Sequence, residues 1–417
     1  MRYLGTSLTL VAGLAALPAG SQETGGIIAR FEFLQRVESV SNQDLNPGQT
    51  GTETISTSNF AYTLESKTRQ SDLSLRLHTA LRAPLAGSND DTDFDNSGAI
   101  LRYTHRAPGA RISVYGLLNH RELAHLRSFD LVDENTIIDD TDDLGGTGTR
   151  TNARLRLDAQ FRENRRFGWG LSFGTAALRY KNLSAGSTLR DVDSYNAALN
   201  TRFDLSPEVQ LTSRFSYSQS EEEGSARSST RGADFGISVQ RPIGELRSAL
   251  SFAWPNQSAD RVSWTVGAAR DLKQGGRVSF DIGGSFADGR DTAVVGRFDY
   301  LHQLSKVSQI SVNLNRLVSD NSDGSVVLRT TGRLGYGLAL SDLTSLNFDV
   351  NYLDRDTLNS TDELTEYGVS LSVSHQLTRE WNLNVGVSRT ERDEFGSARA
   401  TSDAVFFSLQ RAWDAKF

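Results

Sequence analysis

Two histidines near the middle of the chain are the first residues with the type and spacing for chemistry. His120–Arg–Glu–Leu–Ala–His125 places the imidazoles five positions apart with a glutamate between them. A zinc-binding helix needs His-Glu-x-x-His, in which both imidazoles share one helical face, so this spacing predicts no zinc site. No nucleophile elbow, P-loop or dinucleotide fingerprint occurs in a strand–turn–helix context. We therefore expect no enzyme activity, no metal and no cofactor.

Two acidic segments form the next candidate site. Asp91, Asp93 and Asp95 have the spacing that opens a calcium-binding loop. Asn96 stands where that loop needs glycine and Arg102 where it needs the closing glutamate, so an EF-hand is rejected. The default interpretation is a solvated acidic loop, and the alternative is loose divalent bridging to lipopolysaccharide. The second segment holds Asp130, Asp133, Glu134, Asp139, Asp140, Asp142 and Asp143.

Arginines and aspartates alternate with apolar residues in many segments, as in Ala153–Phe161. A period of two predicts a strand with one apolar and one polar face. Polar faces gathered around a lumen would select anions or acidic glycans; alternatively, the charges neutralise one another and fill space. The lumen candidates are Arg76, Arg154, Arg156, Asp158, Arg162, Arg214, Arg247, Arg277, Asp281, Arg329 and Arg333.

The same alternation runs from about Gly25 to the C-terminus. Two architectures use it: a soluble antiparallel sandwich, which buries the apolar face in a core, and a transmembrane β-barrel, which turns that face to lipid. The alternation persists for 9 to 14 residues. Soluble strands usually have ~5–6 residues, whereas a tilted membrane strand needs ~9–11. The barrel is therefore favoured.

Connections between the strands alternate in kind. Nine are tight, and ten on the other side are mostly longer and acidic. Nineteen connections give about 20 strands, with a range of 18 to 22, in a single all-β, antiparallel, up-and-down barrel. Outer-membrane barrels have short periplasmic turns and longer extracellular loops, and an even strand number brings both termini to the periplasmic side.

The N-terminus and composition indicate an exported membrane protein. Met1–Arg2, the apolar stretch from Leu8 to Leu17 and the small residues Ala19–Ser21 form a signal-peptide pattern. We expect residues 1–21 to be a signal peptide and residues 22–417 to form the barrel. The net charge of −7 argues against nucleic-acid binding, and the lack of cysteine excludes disulfides.

The five tryptophans test the barrel interpretation independently, because indole rings prefer membrane interfaces. If the first strand rises from the periplasm, Trp169, Trp381 and Trp413 lie at the periplasmic interface. Trp254 and Trp264 then lie at the outer interface. In a soluble sandwich the five would scatter through the core.

The C-terminal segment has apolar residues at Phe407, Leu409, Trp413 and the terminal Phe417, interrupted by Arg411. It resembles the C-terminal assembly signal of Gram-negative outer-membrane barrels, which implies insertion by the barrel-assembly machinery. The hairpin phrases at Leu304–Ile310, Leu340–Leu346 and Leu377–Leu383 resemble those of β-barrel porins found with exopolysaccharide export systems. That resemblance implies an outer-membrane pore, with lipopolysaccharide and export components as partners.

The sequence therefore predicts a water-filled outer-membrane pore for passive or export-associated passage of small solutes or polysaccharide. A barrel of this width should hold water unless loops fold into it. The alternatives are a non-conducting structural barrel or surface receptor that binds a partner through its acidic loops, and, third, a barrel hydrolase.

Overall fold

The computed structural model describes residues 26–43, 45, 47–48, 51–87, 92–126, 147–185, 187, 189–272, 275–287, 292–320, 325–357 and 363–417. The predicted signal peptide, residues 1–21, lies outside the described residues. Within these residues, the regular structure consists of twenty strands and a 3₁₀ turn at Leu123–His125. The strands are β1 Ile27–Ser41, β2 Thr52–Lys67, β3 Ser71–Ala86, β4 Asp93–Ala107, β5 Ala110–Glu122, β6 Thr149–Phe161, β7 Phe167–Lys181, β8 Val192–Asp204, β9 Val209–Glu222, β10 Ser228–Arg241, β11 Gly244–Pro255, β12 Arg261–Asp271, β13 Arg277–Ala287, β14 Ala293–Gln303, β15 Ser308–Asp320, β16 Val326–Ser341, β17 Thr344–Thr357, β18 Glu363–Gln376, β19 Trp381–Glu394 and β20 Ala400–Lys416.

The sheet closes on itself. Every strand pairs in antiparallel fashion with its two neighbours in the chain, and β1 pairs with β20 from Ile28↔Lys416 to Val40↔Ala404. Closure leaves no unpaired sheet edge, which is the condition for a sheet to enter a bilayer. The predicted 20-stranded, antiparallel, up-and-down barrel is confirmed.

The two ends of the barrel differ in their connections. At one end, here called the turn end, the connections have two to five residues; at the other, the loop end, they have five to 26. The Pro108–Gly109 turn between β4 and β5 shows why short turns need particular residues. Gly109 has φ of 77°, a left-handed conformation that glycine adopts without strain.

The wall of the barrel is uneven in height. β12, β13 and β14 have 11 residues each, whereas β2, β3 and β16 have 16 and β20 has 17. Eleven residues at ~3.4 Å each suffice to cross the ~25 Å apolar band of an outer-membrane barrel at a tilt of ~40°. The longer strands therefore extend beyond the apolar band, and they exceed the 9 to 14 residues of the sequence alternation.

Among the described residues, the apolar clusters inside the barrel are small. One joins Val40, Ile55 and Ala404 on three neighbouring strands, and another joins Leu178 and Val192. Both lie toward the loop end of their strands. Most large apolar side chains instead point away from the protein, so the fold depends on its surroundings to cover them. In the described part of the chain, no helix is long and apolar enough to cross a membrane.

Candidate functional site: the lumen of the barrel

Strand register assigns each side chain to one of two faces. Along β13, Phe280 and Ile282 are 45% and 55% exposed, and they alternate with Ser279, Asp281 and Gly283. Directly paired residues share a face, and this assignment stays consistent around all 20 ladders. Leaving a continuous apolar belt in water is unfavourable by roughly 25 cal/mol per Å². The apolar face is therefore the lipid face, and the polar face encloses the lumen.

Several predicted lumen residues are held in ion pairs. Arg76 reaches across β2 to Glu32, with Nη1 and Oε2 2.8 Å apart. Arg156 binds Asp158 on its own strand, with Nε and Oδ2 2.7 Å apart. Asp158 also accepts a hydrogen bond from Ser172 at 2.7 Å. These charges neutralise each other locally, as the alternative interpretation of the sequence expects.

Another of these pairs spans three strands. Arg247 on β11 extends over Gly267 on β12 and donates two hydrogen bonds to Asp281 on β13, at 2.5 and 2.7 Å. A Cβ atom at position 267 would lie 2.1 Å from Asp281 Oδ1, so glycine is what allows the crossing. On β14, Arg297 donates to Asp299 at 2.6 Å. We call Arg247, Asp281, Arg297 and Asp299 the paired ladder.

A simple spacing underlies many lumenal pairs. Residues i and i+2 of a strand share a face, so Arg-x-Asp or Arg-x-Glu on the polar face places opposite charges side by side. This spacing is visible in the sequence and would have predicted the pairs. It occurs in Arg36–Glu38, Arg156–Asp158, Arg202–Asp204, Arg297–Asp299 and Arg392–Glu394.

Four other predicted arginines lie on the lumenal face outside the ion pairs described above. Arg214 is exposed and makes no ion pair within the described residues, although Asp234 is its direct ladder partner. Arg329 lies directly across from Arg355, another arginine. Arg154 and Arg333 face the lumen in β6 and β16, and both have interactions of their own.

Two predicted lumen residues lie instead at the turn end. Arg162 follows the last residue of β6 and has φ of 58°, so it is a turn residue and not part of the strand wall. Arg277 is the first residue of β13, and its Nη1 lies 3.7 Å from Oδ1 of Asp271, the last residue of β12. Both side chains of that pair are well exposed, so the pair belongs to the rim.

One part of the lumen that the predicted site residues do not include is uncharged. We call the lumenal face of β18–β20 toward the turn end the amide wall, because hydroxyl and amide side chains follow one another there. Part of it borders a cleft of about 460 Å³. The period-two alternation alone predicts this uncharged face, but the predicted lumen residues were chosen for their charge. The amide wall consists of Ser370, Ser372, Ser374, Gln376, Asn382, Asn384, Ser388, Ser408 and Gln410.

The predicted interface tryptophans all lie on the lipid face. Trp169 stacks on Phe161 with ring centroids 4.4 Å apart, and Trp413 lies 5.4 Å from Phe31, both near the turn end. Trp254 lies near the loop end of β11. Trp264 differs from it, because its ladder partner is Leu250, four residues below Trp254. Its indole N–H donates to Ser248 at 3.0 Å, so a lipid-facing hydroxyl replaces interfacial water.

Arg411, which interrupts the apolar pattern of the C-terminal segment, has partners at the turn end. Phe407, Leu409 and Trp413 occupy the lipid face, and Phe417 exchanges backbone hydrogen bonds with Ile27 at 2.9 and 3.1 Å. Arg411 lies on that face too. Its guanidinium stands 5.3 Å from the Trp381 ring and 4.6 Å from the Trp413 ring, and it pairs with Glu380 in the preceding turn. The charge is thus neutralised at the turn end.

The acidic segments show no metal site where they are described. Asp95 accepts backbone hydrogen bonds from Asn96 at 2.7 Å and Glu122 at 2.9 Å, so it shapes the end of β4. His120 contacts Thr151 at 2.9 Å on the lipid face. Among the described residues, no group of three histidines and carboxylates could hold a metal ion. Asp91 and the acidic positions between 130 and 143 lie outside the described residues.

Solved outer-membrane proteins share the architecture. The siderophore receptor PirA from Acinetobacter baumannii gives a TM-score of 0.54 at 10% identity, over 94% of this chain and 81% of that one. PirA from Pseudomonas aeruginosa gives 0.50 at 9% identity over the same shares, and the outer membrane protein opdK from Pseudomonas aeruginosa gives 0.43 at 8% over 93% and 99%. No protein-family model and no curated protein matches the sequence. The two receptor likenesses establish the fold alone: this chain has the fold of the outer-membrane β-barrels of Gram-negative bacteria.

Proposed function

We propose that this chain forms a water-filled pore in the outer membrane of a Gram-negative bacterium, through which small hydrophilic solutes pass without a bond being made or broken. One observation carries the proposal: the closed 20-stranded barrel has an apolar outer face and a hydroxyl-, amide- and charge-lined inner face. Barrels of 16 to 18 strands already leave an aqueous channel. In the proposed orientation of the barrel in the membrane, the turn end faces the periplasm and the loop end faces the exterior.

Lumen charge supplies the selectivity in this proposal. Arg329 and Arg333 carry positive charge on the lumenal face of β16. A charged ring in a pore favours counter-ions. We therefore propose that the solutes are anions or acidic glycans, and that passage of polysaccharide is associated with an export system whose components contact the barrel.

Reconstitution in planar bilayers tests the proposal. The purified protein should show single-channel steps, and a salt gradient should give a reversal potential on the anion-selective side. Replacing Arg329 and Arg333 by serine should move that potential toward cation selectivity. An unchanged reversal potential in the double variant would show that these arginines do not set the selectivity.

A non-conducting barrel or surface receptor is the second candidate, and one observation favours it. Near the loop end, the lumenal side chains Arg355 and Glu366 are only 2% and 1% exposed. Lumenal residues toward the turn end, such as Gln410 and Asn382, are exposed. The lumen is thus less accessible at its loop end. A trace that stays closed at all voltages would favour this candidate over the pore.

Assembly and lipid partners complete the proposal. The pairing of Phe417 with Ile27 at the closing seam supports insertion by the barrel-assembly machinery, which would recognise the C-terminal segment before the seam forms. Lipopolysaccharide would surround the loop end. Cells depleted of the assembly machinery should accumulate the chain in a form that migrates as unfolded on gels without heating.

A further inference from the structure

A row of three side chains crosses the lumenal face of β4, β5 and β6. Arg102 pairs directly with Tyr115, and Tyr115 pairs directly with Arg156. Directly opposed residues have Cβ atoms about 4.5–5.5 Å apart, so the three form one continuous surface. The Arg102 guanidinium stands 5.7 Å from the centroid of the Tyr115 ring. We call Arg102, Tyr115 and Arg156 the basic row.

The two arginines of the basic row differ in their partners. Arg156 is fixed by Asp158, with Nε and Oδ2 2.7 Å apart. Arg102 is exposed and, within the described part of the chain, makes no ion pair with a carboxylate. Its positive charge therefore remains available to a solute, whereas Arg156 mainly borders the site.

Apolar side chains adjoin Tyr115 on its loop-end side. The next row toward the loop end holds Ile100 and Leu117, which pair directly on the same lumenal face. Beyond Arg156 the ladder continues with Gly174, which is covered by the side chain of its β8 partner Asn196. An aromatic ring beside two aliphatic side chains suits the C–H face of a ring-shaped solute, and a guanidinium suits a carboxylate.

The amide wall lies close enough for the same solute to reach both surfaces. Three strands, β1 to β3, separate β20 from β4, where Arg102 lies, and the four strand-to-strand steps between them measure about 19 Å at ~4.8 Å each. Hydroxyl and amide side chains exchange hydrogen bonds with hydroxyl groups, because both can donate and accept. The lumen thus presents a cation, a ring surface and a set of uncharged hydrogen-bonding groups along one arc.

We propose that the basic row is a binding subsite for the carboxylate-bearing ring of an acidic saccharide, whose remaining hydroxyl groups are met by the amide wall. The inference rests on the proposed pore and narrows its substrate class. Arg102 binds the carboxylate, and the Tyr115 side chain packs against the saccharide ring. The Arg156–Asp158 pair forms the edge of the site on β6.

The test measures binding to the detergent-solubilised full-length protein by calorimetry, with trigalacturonate and maltotriose as probes. Trigalacturonate should bind about tenfold more tightly than maltotriose. Arg102→Ser should weaken the binding of trigalacturonate about tenfold. Arg214→Ser is the matched control, because it removes the same charge from an exposed lumenal arginine outside the basic row; it should change the affinity less than twofold. Tyr115→Leu should weaken the binding of both saccharides. Heat-dependent gel migration checks that each variant is folded.

Equal losses in Arg102→Ser and Arg214→Ser would overturn the inference, since lumen charge in general would then explain the binding. Equal binding of acetate and trigalacturonate to the native protein would also overturn it, because the ring would contribute nothing. Conductance separates the two proposals. A closed channel that still binds trigalacturonate through Arg102 would refute the pore and keep the subsite, and a conducting channel without that binding would do the reverse.

Discussion

The paired ladder and the basic row both place arginines in the lumen, yet they differ in what those arginines contact. Arg247 donates two hydrogen bonds to Asp281, whereas Arg102 has only the Tyr115 ring beside it among the described contacts. A charge already neutralised by a carboxylate contributes little to the field that a solute meets. We therefore expect that the partners of a lumenal arginine, and not its position alone, determine whether it affects selectivity.

The largest expected effect comes from breaking the paired ladder. Gly267→Ala should destabilise the barrel by about 1–3 kcal/mol, because its Cβ would lie 2.1 Å from Asp281 Oδ1 and 2.3 Å from the Phe280 carbonyl oxygen. Gly116→Ala is the matched control, since the nearest atom to its Cβ is Leu101 Cβ at 3.5 Å. Denaturant unfolding followed by tryptophan fluorescence measures both. Equal stability of the two variants would mean that the ladder does not need this glycine.

The second largest effect is expected on ion permeability, which should differ between variants of the basic row and of the paired ladder. Arg102→Gln should lower the anion-to-cation permeability ratio by about twofold, because it removes an uncompensated charge from a hydrated lumen. Replacing Arg247 by Gln together with Asp281 by Asn removes a neutral pair and should leave the ratio unchanged. Reversal potentials in a salt gradient measure both variants. A larger shift in the double variant would invert the comparison between the two regions.

A smaller effect is expected on the amide wall. Asn384→Ala should leave the reversal potential unchanged, because no charge is lost. It should weaken binding of trigalacturonate by about threefold, the effect of one hydrogen bond of ordinary strength. Calorimetry and bilayer recordings on the same preparation check both statements. A change in ion selectivity without a change in saccharide binding would contradict the role given to this wall.

The smallest effect is expected at the rim. Arg30 and Asp414 form a bidentate pair across the closing seam at 2.7 and 3.1 Å, but their side chains are 48% and 46% exposed. Water screens exposed ion pairs, so they contribute little to stability. Arg30→Ala should therefore shift the unfolding midpoint only slightly and leave selectivity unchanged, in contrast to Arg102→Gln. A loss comparable to that of Gly267→Ala would show that the seam depends on this pair.

Alternation and turn spacing predicted the fold almost completely, since a closed barrel imposes a period of two on every strand. Arg154 and Arg156 could be placed on the lumenal face from the same period. The pairing of Arg247 with Asp281 could not, because those residues are 34 positions apart and meet only through the register of three strands and the gap at Gly267. The basic row depends in the same way on the register of β4, β5 and β6. The sequence placed Arg162 on the lumenal wall because this turn residue continues the alternation of β6 by one position beyond the strand.

Single-channel recording of the purified native protein in planar bilayers tests the central claim most directly. We expect discrete conductance steps with a reversal potential on the anion-selective side in a salt gradient. A folded, inserted protein that shows no conductance at any voltage would contradict the pore.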